Sequence, residues 1–147
     1  MKGLKVLAAL GYGVILSYIV LWAPARRERP IEGEYRTRLT PFKSTWDDMI
    51  HYKGNNALVH WVLFLGNFFG NILLFVPFAF VMMIVFRITS IRTVILLGFL
   101  SSALIEIVQY ITHLGVADVD DVMLNTVGTA IGAYLCRFFL SRLNMQS

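Results

Sequence analysis

Residues 104–132 read LIEIVQYITHLGVADVDDVMLNTVGTAIG. Two apolar stretches flank a short acidic turn (residues 114–121), and polar side chains interrupt both stretches. An ionisable group inside a membrane span costs about 3 kcal/mol on insertion scales, so such groups mark function by default. The polar residues of this stretch that predict a binding site are Glu106, Gln109, His113, Asp118, Asp120, Asp121 and Asn125.

The composition places the chain in a membrane. Hydrophobic residues make up 57% of its 147 residues and charged residues 15%, whereas soluble domains are about 45–50% apolar and about 25% charged. The apolar stretches are long and lack the alternation of strands, which indicates helices. We therefore predict an all-α integral membrane helical bundle that forms a single domain over residues 1–147.

Four stretches are apolar enough to span a bilayer. The predicted spans are residues 4–22, 69–86, 93–113 and 121–139, with an interfacial or re-entrant lead-in at 57–68. The first stretch has a rival interpretation as a cleaved signal peptide, because small residues at 23–25 loosely fit a cleavage site. Its apolar run is longer than a normal signal-peptide core, which favours a retained helix.

Residues 23–56, the first loop, form the main polar segment. They contain seven Lys or Arg and five Asp or Glu, which we interpret mainly as a solvated face that touches lipid headgroups. A short amphipathic piece around Pro41–Met49 is expected to lie on the membrane surface. A ligand role for Arg36 or Arg38 has no support in the sequence.

The net charge is +4, and the basic residues lie in short clusters beside apolar spans. This pattern is typical of residues that orient a membrane protein and not of a nucleic-acid-binding surface. Four spans put the two termini and the 87–92 turn on one side. Those pieces carry bases and no acids, and the acidic turn carries no base, which places both termini in the cytoplasm. The seven bases of the first loop oppose this orientation.

Two pairs of glycines are spaced four apart in apolar spans. Gly66 and Gly70 predict close approach of another helix, with Asn67 and Asn71 on the same face seeking hydrogen bonds. Gly128 and Gly132 predict helix packing in the last span, and we assign the same packing role to Ser101 and Ser102.

The polar residues before the acidic turn share one face of a helix. Glu106, Gln109 and His113 fall within about 60° of one another at 100° per residue. Lipid cannot satisfy these groups, so they must face protein or water. One of the three aspartates that follow is expected only to cap a helix, but three acids opposite this stripe predict a polar pocket.

Four motifs resemble the VanZ-like family of small bacterial membrane proteins. They are NILLFVPF at 71–78, the pair Glu106 and Gln109, DVDD at 118–121 and NTVG at 125–128. The resemblance covers roughly residues 55–140. It implies a multi-helix membrane protein of the bacterial cytoplasmic membrane, related to a founding member linked to low-level teicoplanin resistance. The positions that it carries over as site residues are Asn71, Glu106, Gln109, Asp118, Asp121 and Asn125.

The chain departs from the family at one place. Family members often carry an Arg shortly before the Asp run, and here residues 114–117 read LGVA. If that Arg binds an anionic group in relatives, this chain either binds it with a base from elsewhere, such as the first loop, or does not bind it at all.

Two functions from different classes fit these residues. The first is a non-enzymatic protein whose outer-leaflet pocket binds a lipid headgroup, a lipid-linked cell-wall precursor or an acyl-bearing glycopeptide, without a cofactor. The absence of motifs for a nucleophile, phosphate loop or zinc helix favours it. The second is an intramembrane enzyme in which Glu106 and Asp121 act as acid and base, or in which the acids hold Mg²⁺, Mn²⁺ or Ca²⁺. The oligomeric state is open.

Overall fold

The computed structural model describes residues 2–21, 37–50, 56–112 and 115–144. Within these ranges the chain is a bundle of helices with one very short pair of strands. The helices are α1 (Lys2–Leu21), α2 (Lys43–Ile50), α3 (Ala57–Phe80), α4 (Ile91–Thr112) and α5 (Val119–Asn144). Helix α3 continues without a break as a π-helix over Val81–Val85.

Four helices in the described part of the chain are long and apolar enough to cross a bilayer. The candidate spans are Gly3–Val20, Ala57–Val85, Ile91–Thr112 and Val119–Leu143. A bilayer core about 30 Å thick needs about 20 residues of helix, so each of them suffices. The predicted fold class, an all-α integral membrane bundle with four spans, is confirmed.

The beginning of α3 differs from the sequence prediction. The side chain of Asn56 caps the helix by accepting hydrogen bonds from the backbone N–H groups of Leu58 at 3.0 Å and Val59 at 3.4 Å. From this cap the helix runs unbroken through residues 57–68. A re-entrant turn there is therefore wrong, because the local sequence offers a capping residue at the start and no break before residue 69.

Small residues bring α3 and α5 together as predicted. A Cβ atom added at Gly128 would collide with the backbone carbonyl of Ile72, and one added at Gly132 would collide with that of Val76. Both glycines are buried. The two helices thus approach at backbone distance, which confirms the packing role of this glycine pair.

The other glycine pair behaves differently. A Cβ atom added at Gly66 or Gly70 would meet no heavy atom within 4 Å, and Asn67 is exposed. Only Asn71 of that group is buried. The predicted helix contact at Gly66 and Gly70 is wrong for the described part of the chain, because α5 packs on the face of α3 that carries Ile72 and Val76.

The hydrophobic core cluster and most buried polar side chains lie toward different ends of the bundle. The apolar core lies where the end of α3, the start of α4 and the second half of α5 meet. It consists of Ala79, Met83, Ile91, Val94, Ala133 and Cys136. The buried polar side chains lie toward the other end of these helices, next to the connection between α4 and α5.

The described part of the first loop, residues 37–50, packs against the acidic turn. Strand β1 (Thr37–Arg38) pairs in parallel with strand β2 (Ala117–Asp118), and the expected amphipathic piece forms α2. Helix α1 is mostly exposed along the bundle and donates one hydrogen bond from the Tyr12 hydroxyl to the Leu74 carbonyl at 2.9 Å. The contact between strands places the α1–α3 and α4–α5 connections on the same side, as four spans require.

Candidate functional site

Nine polar or charged side chains of the described residues are buried and form the polar cluster. Lipid offers no hydrogen bonds, so each of these groups requires a partner from protein, water or a ligand. Seven of the eight predicted site residues belong to the cluster, and the eighth, His113, lies outside the described residues. The cluster consists of Asn71, Ser102, Glu106, Gln109, Asp118, Asp120, Asp121, Asn125 and Thr129.

Glu106 holds the acidic turn against α4. Its carboxylate Oε2 accepts a hydrogen bond from the backbone N–H of Asp118 at 2.9 Å. Asp118 precedes α5 and caps it, because its Oδ1 accepts the N–H of Asp120 at 2.9 Å. The first of the three aspartates therefore caps the helix that follows it, and the buried Glu106 positions that cap.

Several opposing interactions act on the pKa of the Asp118 carboxyl. Burial raises its pKa, while the hydrogen bond from the Asp120 N–H lowers it. The nearby carboxylates of Asp121 and Asp120 raise the pKa further, and the Arg38 guanidinium lowers it. The net effect is a pKa above the usual value of an Asp, with burial as the largest cause.

Asp120 is engaged by the first loop. Its Oδ1 accepts the backbone N–H of Phe42 at 2.6 Å, and its Oδ2 accepts the backbone N–H and the hydroxyl of Thr45 at 3.1 and 2.6 Å. These donors lie at the start of α2, where the first N–H groups of a helix have no partner within the helix. Asp120 thus caps α2 from a position 75 residues away in the chain.

Arg38 supplies a base to the acidic turn. Its Nη1 lies 3.7 Å from Asp118 Oδ2 and 3.4 Å from Asp48 Oδ2. The prediction that the charges of this loop mainly form a solvated face is wrong for Arg38, because the strand pair places it beside Asp118. Thr45 was missed altogether. Two residues of parallel strand leave no periodicity that could have revealed either contact.

Asn71 and Asp121 link α3 to α5. The Asn71 Nδ2 group donates to Asp121 Oδ1 at 2.6 Å, and both side chains are buried. The two residues are 50 apart in sequence, and the structure joins them across the helix interface that Gly128 and Gly132 close.

Asn125 links α5 to α4 one turn deeper. Its Nδ2 donates to the Ser102 hydroxyl at 2.8 Å, and its backbone carbonyl accepts the Thr129 hydroxyl at 2.9 Å. Asn125 Oδ1 is buried and has no hydrogen-bond partner among the described residues. Ser102 and Thr129 were not predicted as site residues, since a lone hydroxyl in a span usually serves packing.

Gln109 joins α4 to the end of α1. Its Nε2 donates to the backbone carbonyl of Val20 at 2.8 Å, one of the last four carbonyls of α1, which lack partners within the helix. Because a carbonyl only accepts, this bond fixes the orientation of the amide. The side chain is 1% exposed, and its Oε1 has no partner within the described ranges.

The chemistry of the site is that of hydrogen-bond acceptors. Two amide oxygens that need a donor lie in a cluster with four carboxylates, a set that suits a ligand with N–H or O–H groups. Among the described residues, no three His, Cys, Asp or Glu side chains lie close enough to hold a metal ion. The carboxylates instead hold backbone N–H groups and neighbouring side chains.

Comparison with known proteins agrees with this architecture. The family model described as VanZ/LLP1 matches residues 7–140, which include the two middle spans, most of the first and last spans, and the polar cluster. Searches of curated proteins and of solved structures found no match. Because the family model covers nearly the whole chain, the chain belongs to the VanZ/LLP1 family.

Proposed function

We propose that this protein binds a polar headgroup in its buried polar cluster. The candidate ligands are a lipid headgroup, a lipid-linked cell-wall precursor and an acyl-bearing glycopeptide of the teicoplanin type. All of them present amide, amine or hydroxyl donors on a molecule that resides in or enters the membrane. The VanZ/LLP1 family supports a role in the cell envelope.

The observation that carries this proposal is the buried oxygen of Gln109. Its partner must donate a hydrogen bond, since the orientation of the amide is fixed by Val20. A buried acceptor without a donor destabilises the protein by about 1–3 kcal/mol. A ligand that donates a hydrogen bond to this oxygen would remove that penalty, which favours binding. Asn125 Oδ1 presents a second acceptor on the adjoining helix.

The test is a susceptibility assay with matched variants. A teicoplanin-sensitive bacterium expresses the wild type, Gln109→Leu, Asn125→Leu or Asn67→Leu, and the amount of protein in the membrane is measured for each. Asn67 is exposed on α3, so its variant is the control for loss of an amide from a span. We expect resistance from the wild type and the control, and a loss of resistance in both other variants.

Two results would oppose the proposal. Full resistance from Gln109→Leu and Asn125→Leu at wild-type membrane levels would exclude the amide oxygens from binding. A wild type that confers no resistance would exclude the glycopeptide, and binding of purified protein to vesicles of defined headgroup would then test the lipid.

The orientation follows from the same proposal. We place the protein in the bacterial cytoplasmic membrane, with both termini in the cytoplasm and the polar cluster toward the outer leaflet. The bases at the termini and in the 87–92 turn support this orientation. An outward cluster also suits an envelope ligand that is exposed outside the cell.

An enzyme that uses Glu106 and Asp121 remains an alternative prediction. Glu106 holds a backbone N–H group and Asp121 holds Asn71, which are positioning contacts. Purified protein analysed for Mg²⁺, Mn²⁺ and Ca²⁺ would test the metal-dependent form. Stoichiometric metal that is lost in Asp121→Asn would favour the enzyme over the binding protein.

A further inference from the structure

Helix α2 presents a row of uncovered apolar side chains. Trp46 is 58% exposed and Ile50 52%, and just before the helix Phe42 is 61% and Leu39 71% exposed. Trp46 and Ile50 are one turn apart and share a face. Large apolar groups that cluster on one face of a short helix indicate a partner surface.

The opposite face of α2 is attached to the protein. At 100° per residue, Thr45 and Asp48 lie about 100–160° around the helix from Trp46 and Ile50. Thr45 binds Asp120, and Asp48 lies 3.4 Å from Arg38. The orientation of α2 is therefore fixed, with its polar side toward the acidic turn and its apolar side outward.

The same contacts fix the height of α2 along the bundle. Asp120 is the second residue of α5, and α5 is a candidate span. On the neighbouring α4, Ile107 and Ile111 are 53% and 67% exposed close to the helix end. The exposed apolar surface of the spans thus continues to the level of the acidic turn, where α2 is held.

We propose that α2 lies in the lipid headgroup region and inserts Phe42, Trp46 and Ile50 toward the acyl chains. Tryptophan favours this zone, and a helix with one apolar face lies flat in it. Because Asp120 ties α2 to the start of α5, the anchor also sets the depth of the polar cluster: its aspartates lie at the bilayer boundary, and Asn125 and Ser102 lie below them. This inference does not depend on the ligand, so its failure would leave the binding proposal standing.

Depth-dependent quenching of tryptophan fluorescence tests the anchor. The variant Trp22→Phe/Trp61→Phe retains Trp46 alone and is reconstituted in phosphatidylcholine vesicles whose acyl chains carry bromine near the headgroup or near the chain end. We expect at least twofold stronger quenching of Trp46 by the shallow bromines, and weak quenching by aqueous iodide. A protein without native tryptophans that carries Ile50→Trp should give the same pattern.

A matched probe calibrates the deep signal. Ile131 is exposed near the middle of the last span, so Ile131→Trp in the tryptophan-free background should be quenched more by the deep bromines. Strong iodide quenching of Trp46 without bromine quenching would place α2 in water and overturn the proposal. Protection of Trp46 from both quenchers would show that protein, such as a second copy of the chain, covers this face, and would overturn it equally.

Discussion

The hydrogen bond between Asn71 and Asp121 allows a quantitative test of the helix interface. It joins α3 to α5 at 2.6 Å between two buried side chains. We consider Asn71→Leu, which removes the donor while keeping a side chain of similar volume, so that no cavity is created. The same substitution at Asn67, four residues earlier and exposed, is its control.

Two estimates bound the effect. A hydrogen bond to a charged group contributes about 1.5–3 kcal/mol, whereas polar bonds between membrane helices average about 0.6 kcal/mol and reach about 1.7 kcal/mol, because the unfolded helices also find partners in the membrane. Because Asn71→Leu removes a donor from the buried carboxylate of Asp121, we expect a destabilisation in the higher range. We therefore expect Asn71→Leu to lower the free energy of unfolding by about 1.5–3 kcal/mol, and Asn67→Leu to change it by about 0.5 kcal/mol or less.

The assay is unfolding by SDS in mixed micelles, followed by circular dichroism and completed as a double-mutant cycle with Asp121→Ala. The double variant should be less destabilised than the sum of the single variants by about 1 kcal/mol, because neither partner is then buried without the other. Equal midpoints for Asn71→Leu and Asn67→Leu, or additivity within about 0.3 kcal/mol, would refute the reasoning.

Three further outcomes follow from the structure. Gly128→Ala should lower Tm in detergent by several degrees, because its Cβ would overlap the backbone of α3; Gly70→Ala, which faces open space, should leave Tm unchanged or raise it, and equal losses would contradict this packing. Gln109→Leu removes the bond to Val20, worth about 1 kcal/mol, together with the buried Oε1 that lacks a donor among the described residues, which costs about 1–3 kcal/mol; the unfolding midpoint of the ligand-free protein should therefore stay the same or rise, and a clear fall would contradict an oxygen without a partner. Because folding raises the pKa of Asp118, this carboxyl contributes to the free energy of unfolding; the contribution is fully present below pH 3.8, the ordinary pKa, and is lost as the pH rises through the raised pKa. Asp118→Asn should therefore show a smaller fall in Tm over that pH range than the wild type, and parallel Tm profiles of the two proteins would contradict the raised pKa.

Much of the bundle could be predicted because a membrane span depends only on the length and apolarity of one continuous stretch of sequence. Length and apolarity alone locate four spans, and their observed ends lie within a few residues of the prediction except at the start of α3. The spacing of Gly128 and Gly132 likewise predicted the close approach of a neighbouring helix. Gly66 has the same spacing to Gly70, yet the spacing does not say which face of α3 receives a neighbour, and only the packing of α5 decides it.

The polar cluster was predictable as a set but not as a network. Burial in a span requires each polar group to find a partner, which identifies Asn71, Glu106 and Asn125 without any knowledge of their partners. The partners come from other helices or from the first loop, at separations of 12 to 78 residues. Arg38 and Thr45 were overlooked for this reason, because a charge or hydroxyl in a loop is usually solvated, and nothing near them in sequence signals the contact.

Under the binding proposal, the contacts divide the cluster into groups that support the fold and groups that recognise the ligand. Both carboxylate oxygens of Asp120 accept hydrogen bonds at the start of α2, and Asp118 caps α5 beside Arg38. Neutralising either one should therefore loosen the first loop before it alters any ligand contact. The oxygens of Gln109 and Asn125 are held in place by their own amide nitrogens and are buried without a donor among the described residues. A ligand that donates hydrogen bonds would thus be recognised through these two amides, while the aspartates, which dominate the sequence, build the structure that presents them.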